Sequence, residues 1–335
     1  MTRQSQTRLF GVTHALDSSV VRIAVIAIIA IFVLTPVLIL ILRRAGKVPP
    51  KQYDELMKRY RSWLIIGPLM VVPVLLGAFW TIMAVGILSI LCYREYARAT
   101  GLFREKLMSL LVTLGMLAVT FSVLDNWYGL FVALFPLATG AIAAVAIFAD
   151  RPKGYIQRVA LSVLAFTLFG VCFGHLGYSA NDVQFRPILF WLVICVELND
   201  IFAYICGKSF GRRKLAPHTS PNKTIGGSLG SLVLTTTLAA SVGHYVFLGT
   251  NVDRPLPLIF LGLIISITGQ LGDLLISSIK RDLDLKDMGV LFPGHGGWLD
   301  RFDSLILVAP AVFHYVGYFR GLGGDQPVRI LSGGF

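Results

Sequence analysis

Long apolar runs alternate with short polar, mostly basic segments along almost the whole chain. The runs cover residues 20–42, 62–78, 79–93, 107–122, 127–149, 158–176, 187–206, 227–248, 256–277 and 304–319. A transmembrane helix needs about 20 apolar residues, so the pattern predicts about ten spanning helices and an all-α, polytopic integral membrane fold. The stretch from Trp63 to Tyr93 is too long for one untilted span and short for two, with Pro68, Pro73 and Gly77 as breakers. The first run exceeds a signal-peptide core, and Leu42-Arg43-Arg44-Ala45 offers no small-x-small cleavage site, so it reads as a retained helix.

Composition agrees. Of 335 residues, 55% are hydrophobic and 14% charged, with a mean hydropathy of +0.73, whereas soluble domains carry about 25% charged residues. Disorder, collagen-like repeats and secreted disulfide scaffolds are excluded. Cys92, Cys172, Cys195 and Cys206 lie in or beside apolar runs without a CxxC pair, so they read as buried small hydrophobes, not disulfide or zinc ligands.

The formal net charge of +12 would point to nucleic acid in a soluble chain. In a membrane protein it points first to Lys and Arg gathered in cytoplasmic loops, and no nucleic-acid partner is expected. With ten crossings, 23 of the 30 basic residues fall in the loops 43–61, 94–106, 150–158, 207–226 and 278–303. This bias places those loops in the cytoplasm and both termini outside, and the membrane reads as a bacterial cytoplasmic (inner) membrane. One span over 63–93 would put the basic loops 43–61 and 94–106 on opposite faces, so two crossings fit better. The loop 43–61 reads as a topology determinant that also meets anionic headgroups of the lipid bilayer. Three regions follow: an extra N-terminal helix and basic loop (1–60), N-terminal membrane helices (61–186) and a C-terminal catalytic membrane region (187–335).

Two glycine-rich polar segments flanked by carboxylates at membrane depth carry the candidate chemistry. Asp300 and Asp303, at i, i+3, share one face of a helical turn just before the last apolar run. Asp273 lies near the end of the preceding helix. Buried carboxylates are costly unless paired or bound to metal, and three convergent ones suit Mg²⁺ with substrate phosphates in its shell. The alternative is that they tie helix ends together through Lys280, Arg281 and Arg301. The turn containing Gly296 and Gly297 can present backbone N–H groups to a phosphate at a helix N-terminus, with His295 between the lysines and the aspartates. Lys286 and Lys223 add positive charge, and Lys223 sits in a proline-stiffened Ser220-Pro221-Asn222-Lys223-Thr224 turn. Asp200, with Asn199 and Glu197, is either a further metal or nucleotide contact or interhelical polar glue. Together these residues describe an intramembrane site for a divalent metal and a polyphosphate.

At these residues the chain resembles the phosphatidate cytidylyltransferase (CDP-diacylglycerol synthase) family. Ser277–Asp303 follows that family's S-x-x-K-R, four residues, K-D, then P-x-H-G-G-x-x-D-R-x-D. Residues 200–227 are similar to its D-x-x-A-Y … G-K-x-x-G … K-L-A-P-x-x-S-P-x-K-T element, and Tyr93-Arg94-Glu95-Tyr96 also looks alike. The resemblance implies reaction of CTP with phosphatidate, giving CDP-diacylglycerol and pyrophosphate, by in-line attack of a lipid phosphate oxygen on the α-phosphorus. It implies Mg²⁺ held by Asp273, Asp300 and Asp303, in some members with K⁺ beside it, and a homodimer. Lys223, Lys280, Arg281, Lys286 and Arg301 would bind phosphates, with Asp200 and His295 as further contacts. Ser220, Gly296 and Gly297 are counted with the substrate-binding set, and Lys286 and His295 with the catalytic one beside Asp273 and Asp300.

The chain departs from the family pattern at Ile225 and Gly226, usually Trp and Glu. Trp298 replaces an aliphatic residue, and Ile201-Phe202 a small polar pair. A relative that uses another lipid phosphate is the second expectation. A transporter is a third, opposed by the absence of a sequence repeat between halves and by polar residues clustered on one face.

Overall fold

The computed structural model describes residues 3–292, 294, 296–321 and 329–333, with side chains from residue 6 onward. Ten of its helical segments are long and apolar enough to span a bilayer. A short α1 (Arg3–Phe10) precedes α2 (Ser19–Arg44), α3 (Pro50–Leu76), α4 (Ala78–Thr100), α5 (Lys106–Leu124) and α6 (Tyr128–Ile147). The next span joins α7 (Tyr155–Ala165), a π-helical stretch Phe166–Cys172 and α8 (Phe173–Tyr178). Then come α9 (Phe185–Phe210), a hairpin of β1 (Lys214–Ala216) and β2 (Ser220–Thr224), α10 (Ile225–Val246), α11 (Pro255–Asp282) and α12 (Leu299–Arg320). The protein is an all-α integral membrane protein apart from this one small antiparallel sheet among the described residues.

The stretch from Trp63 to Tyr93 is indeed two helices, and the break has a physical cause. Gly77 takes φ +134°, where L side chains rarely go, and a Cβ there would stand 2.4 Å from the Leu9 carbonyl. Thus α1 packs into the corner between α3 and α4. One expectation is corrected: in the basic segment 43–61 only residues 45–49 are loop, since 43–44 end α2 and 50–61 are the first turns of α3. Pro50 supplies the fixed φ that favours a first helical position, and Lys, Glu, Met and Arg propagate helix well despite their charge.

Helix α2 lies at the periphery against α3 and α9, with Ile23, Ile26, Ile31 and Leu34 all exposed, as befits side chains facing lipid. The four cysteines are free and buried. In the C-terminal half, α9, α10, α11 and α12 pack in chain order. Asn199 joins three of them: its Oδ1 accepts from Thr235 at 2.9 Å and Ser266 at 2.7 Å. Gln270 continues the network to Ser231 at 3.0 Å and to Ser228. Asn199 is therefore interhelical glue, whereas its neighbour Asp200 faces a different environment. The C-terminal ends of α4, α9 and α11, the hairpin and the start of α12 meet on one face of the bundle.

Candidate active site

The hairpin is built to aim Lys223. Thr224 caps α10 by accepting the Gly227 N–H at 3.1 Å, and the hairpin register pairs Lys214 with Thr224 and Ala216 with Ser220. The Arg281 guanidinium on α11 clamps the turn by donating to the Thr219 carbonyl at 3.2 Å and to Leu285 at 2.7 Å. Ser220 opens β2 beside this clamp. Lys223 then reaches α11, its Nζ 2.6 Å from Asp273 Oδ2, while Ser277 donates to Asp273 Oδ1 at 3.0 Å.

Asp300 and Asp303 share one turn of α12 but serve different surroundings. Asp300 is turned to the preceding loop: Oδ1 meets Lys280 Nζ at 3.0 Å, and Oδ2 accepts N–H groups of Met288 and Gly297 at 2.9 Å and of Gly289 at 3.4 Å. Among the described residues, Asp303 accepts only its neighbour's Ser304 N–H, at 2.8 Å. It lies within electrostatic reach of Asp200, Asp273 and Lys280. Asp200 accepts from Ser304 Oγ at 3.1 Å. The structure thus groups Asp200, Asp273 and Asp303, and gives Asp300 a separate task of folding the loop.

The glycines follow the same logic. A Cβ on Gly296, at φ +76°, would stand 2.5 Å from Asp300 Oδ2, and one on Gly297 would stand 2.3 Å from the Glu95 carboxylate. Of the N–H groups expected to face a phosphate, that of Gly297 is donated to Asp300, and those of the following Trp298 and Leu299 go to Glu95 at 2.9 Å each. Glu95, from α4, therefore caps α12 across more than 200 residues of sequence. The only sequence signal for it is the Tyr93–Tyr96 similarity. Arg59 of α3 was counted with the topology charges, yet its aliphatic stem lies over Gly294, 3.4 Å from where a Cβ would stand.

Among the remaining candidates, Arg301 carries a buried Nε without a hydrogen-bond partner and lies within electrostatic reach of Glu197 and Asp200. Lys280 is buried and Lys286 is exposed on the loop before Gly289. His295 lies outside the described residues.

A metal can be weighed against this donor set. Lys223 pairs with Asp273 and Lys280 with Asp300. Among the described residues, neither Asp200 nor Asp303 has a basic group within 4 Å, and no three Asp, Glu, His or Cys residues converge as a ready-made cage. Two carboxylates without a cation at membrane depth are expensive. Mg²⁺ characteristically binds one or two carboxylates plus substrate phosphates, not an all-protein cage, so the residues fit it. The orphaned Arg301 Nε fits an anion.

Comparison with known proteins agrees with this chemistry. The cytidylyltransferase family model matches residues 57–319, from α3 to the end of α12. Uncharacterized protein YnbB of Escherichia coli is 32% identical over 281 residues, covering 81% of this chain and 91% of that protein. The phosphatidate cytidylyltransferase of Bacillus subtilis is 34% identical over 224 residues, covering 64% of this chain and 81% of the relative. That of Staphylococcus epidermidis is 33% identical over 251 residues, covering 73% and 94%. Spanned by the model from the basic turns of α3 through the carboxylates of α12, the chain belongs to the cytidylyltransferase family.

Proposed function

We propose that the protein is a phosphatidate cytidylyltransferase, transferring the cytidylyl group of CTP to phosphatidate in phospholipid biosynthesis. The observation that carries this reading is the grouping of Asp200, Asp273 and Asp303 beside Lys223, Lys280 and Arg301 at the end of a transmembrane bundle. There a water-soluble triphosphate and a membrane-held phosphate can share one set of charges.

In the reaction a phosphatidate oxygen bonds to the α-phosphorus of CTP as the bond to the β-phosphate oxygen breaks, and pyrophosphate leaves. Such transfers need positioning and charge neutralisation more than covalent help. Lys223, paired with Asp273, and Arg301, with its unpartnered Nε, supply donors for the phosphates. Lys280 is held by Asp300, so it contributes fixed positive charge at the loop base. Asp303 and Asp200 would hold Mg²⁺, which when bound would supply positive charge to neutralise the polyphosphate. The site faces the cytoplasm of a bacterial inner membrane, a reading supported by the loop charge bias. K⁺ beside Mg²⁺ and a homodimer come with the family resemblance, and ion substitution and mass measurement in detergent test them.

A second reading keeps the chemistry and changes the lipid phosphate. The observation in its favour is local: a Cβ on Gly226 would stand 2.8 Å from the Phe210 carbonyl, so the family's acidic residue has no room there. Transfer of label from α-labelled CTP into chloroform-extractable product, with phosphatidate and a polyprenyl phosphate offered separately, decides between the two acceptors.

A further inference from the structure

The start of α5 and the turn between α6 and α7 enclose a cavity of about 250 Å³ that the site described above does not use. Arg104, Lys106, Arg151 and Arg158 line it, with Glu105 as the one acid. Four cations against one carboxylate leave a formal charge of +3. Arg104 ends the short helical turn Leu102–Arg104 that joins α4 to α5, so the cavity lies on the face of the bundle where α4 ends. None of Asp200, Asp273 and Asp303 lines it.

The orientation of a membrane protein asks only that cations lie on one side of the bilayer, not that they converge on one hollow. Here the convergence is built. Arg158, in the first turn of α7, reaches back to the α6–α7 turn and donates to the Lys153 carbonyl at 2.9 Å and to the Arg151 carbonyl. Arg151 crosses to α5, its Nη2 2.9 Å from Glu105 Oε2. Arg104 and Lys106 have no acidic partner among the described residues. Helix α5 starts without a side-chain cap or an acid in its first turn, so its positive end adds to the same field. Like charges gathered in this way repel one another unless an anion stands between them.

The remaining walls say which anion. Leu107, Ala146 and Ala149 line the cavity beside the cations. Next to it Phe148 and Ile156 are 83% and 81% exposed. Both stand where a span ends or begins, at the boundary between hydrocarbon and headgroups. A free phosphate has no use for apolar walls, whereas the glycerol and first carbons of a lipid cover them. The volume falls below the roughly 300–1,000 Å³ of pockets that enclose a whole ligand, so it suits a headgroup phosphate better than a nucleotide. We propose that this cavity binds the phosphate of an anionic glycerophospholipid, at a site separate from that of cytidylyl transfer and independent of that reading. Basic pockets between spanning helices are a recurrent form of headgroup recognition. Arg151 and Arg158 are held in place by the loop, and Arg104 and Lys106 are the free cations that close on the phosphate.

The test is thermal unfolding of the full chain in detergent as dioleoyl phosphatidylglycerol is titrated in. A saturable rise of the midpoint is expected, with no such rise from dioleoyl phosphatidylcholine at the same mole fraction. In the double variant Arg104→Gln, Lys106→Gln the mole fraction for half-saturation should increase at least tenfold; both side chains are exposed, so the fold does not depend on them. Two controls should keep the response of the unaltered protein. One is Arg212→Gln, Arg213→Gln, which removes two exposed cations of the other basic segment, and the second is Lys223→Gln. Equal weakening in the Arg212, Arg213 variant would mean that surface charge alone attracts the lipid, and overturns the proposal. Loss of the response in Lys223→Gln would put the lipid in the transfer site, and overturns it too. The same rise from inorganic phosphate would show a site for a free anion, and no saturable rise in the unaltered protein would show no site; either result overturns the lipid assignment.

Discussion

Glu95 on α4 holds the first turn of α12 through Leu299, whose N–H it accepts at 2.9 Å, and its second oxygen takes the neighbouring Trp298 N–H. The helix that carries Asp300 and Asp303 is thereby fixed to the N-terminal half of the bundle. Replacing Glu95 by Ala leaves two part-buried donors unmet, at about 1–3 kcal/mol each. The expected outcome is a clearly lower midpoint of thermal unfolding in detergent, with Glu95→Gln intermediate because it keeps one acceptor. An unchanged midpoint in Glu95→Ala would remove the capping role.

Asp300 and Asp303 should respond oppositely to the same substitution. Asp300→Asn strips Lys280 of its buried partner, a change that costs about 3–5 kcal/mol for a buried pair, so stability and turnover fall together. Asp303→Asn removes a buried carboxylate with no basic partner within 4 Å among the described residues. Its unfolding midpoint is expected to stay level or rise, while turnover falls at least a hundredfold and Mg²⁺ no longer stabilises the protein. Thermal unfolding with and without Mg²⁺ separates the two; loss of stability in Asp303→Asn would refute the division of labour.

Gly226 tests why the chain departs from its family. Restoring the acidic residue as Gly226→Glu drives a Cβ to 2.8 Å from the Phe210 carbonyl, and overpacking of this kind costs about 1–3 kcal/mol. A lower unfolding midpoint is expected. A gain in stability would mean that the end of α9 yields freely and that the departure carries no structural reason.

The pH dependence of one corner is fixed by Asp125, in the loop after α5. Burial alone would raise its carboxyl above the usual range, but hydrogen bonds from Ser332, Leu331 and Ile330 outweigh it, and the net shift is downward. A depressed carboxyl stabilises the fold above its unfolded value and ceases to do so as pH falls through the folded one. The stability advantage over Asp125→Asn should therefore be full at pH 7 and vanish in acid, below the ordinary carboxylate range. A difference in unfolding midpoint that is independent of pH would contradict this.

The spans were legible because length and apolarity suffice to specify them, and Gly77 announced the break between α3 and α4. Residues 50–61 escaped because charge was taken for loop, although those residue types favour helix. That Asp273, Asp300 and Asp303 lie toward one end of the bundle was legible; which basic group each one meets was not. An i, i+3 spacing puts Asp300 and Asp303 on one face, but which carboxylate meets Lys280 depends on how the 283–298 loop folds back. Glu95 was hidden for the same reason, since a cap contributed from 200 residues away has no local pattern. Asn199 and Asp200, adjacent in sequence, divided between glue and site only once α10 and α11 were in place.

The most direct measurement is release of pyrophosphate by the detergent-purified protein given CTP, phosphatidate and Mg²⁺, with lipid product counted in parallel. Pyrophosphate and CDP-diacylglycerol should form one to one, require all three components, and be lost in Asp303→Asn at undiminished stability. Pyrophosphate release that continues without lipid, or no CDP-diacylglycerol from a folded protein that binds CTP, would contradict cytidylyl transfer to phosphatidate.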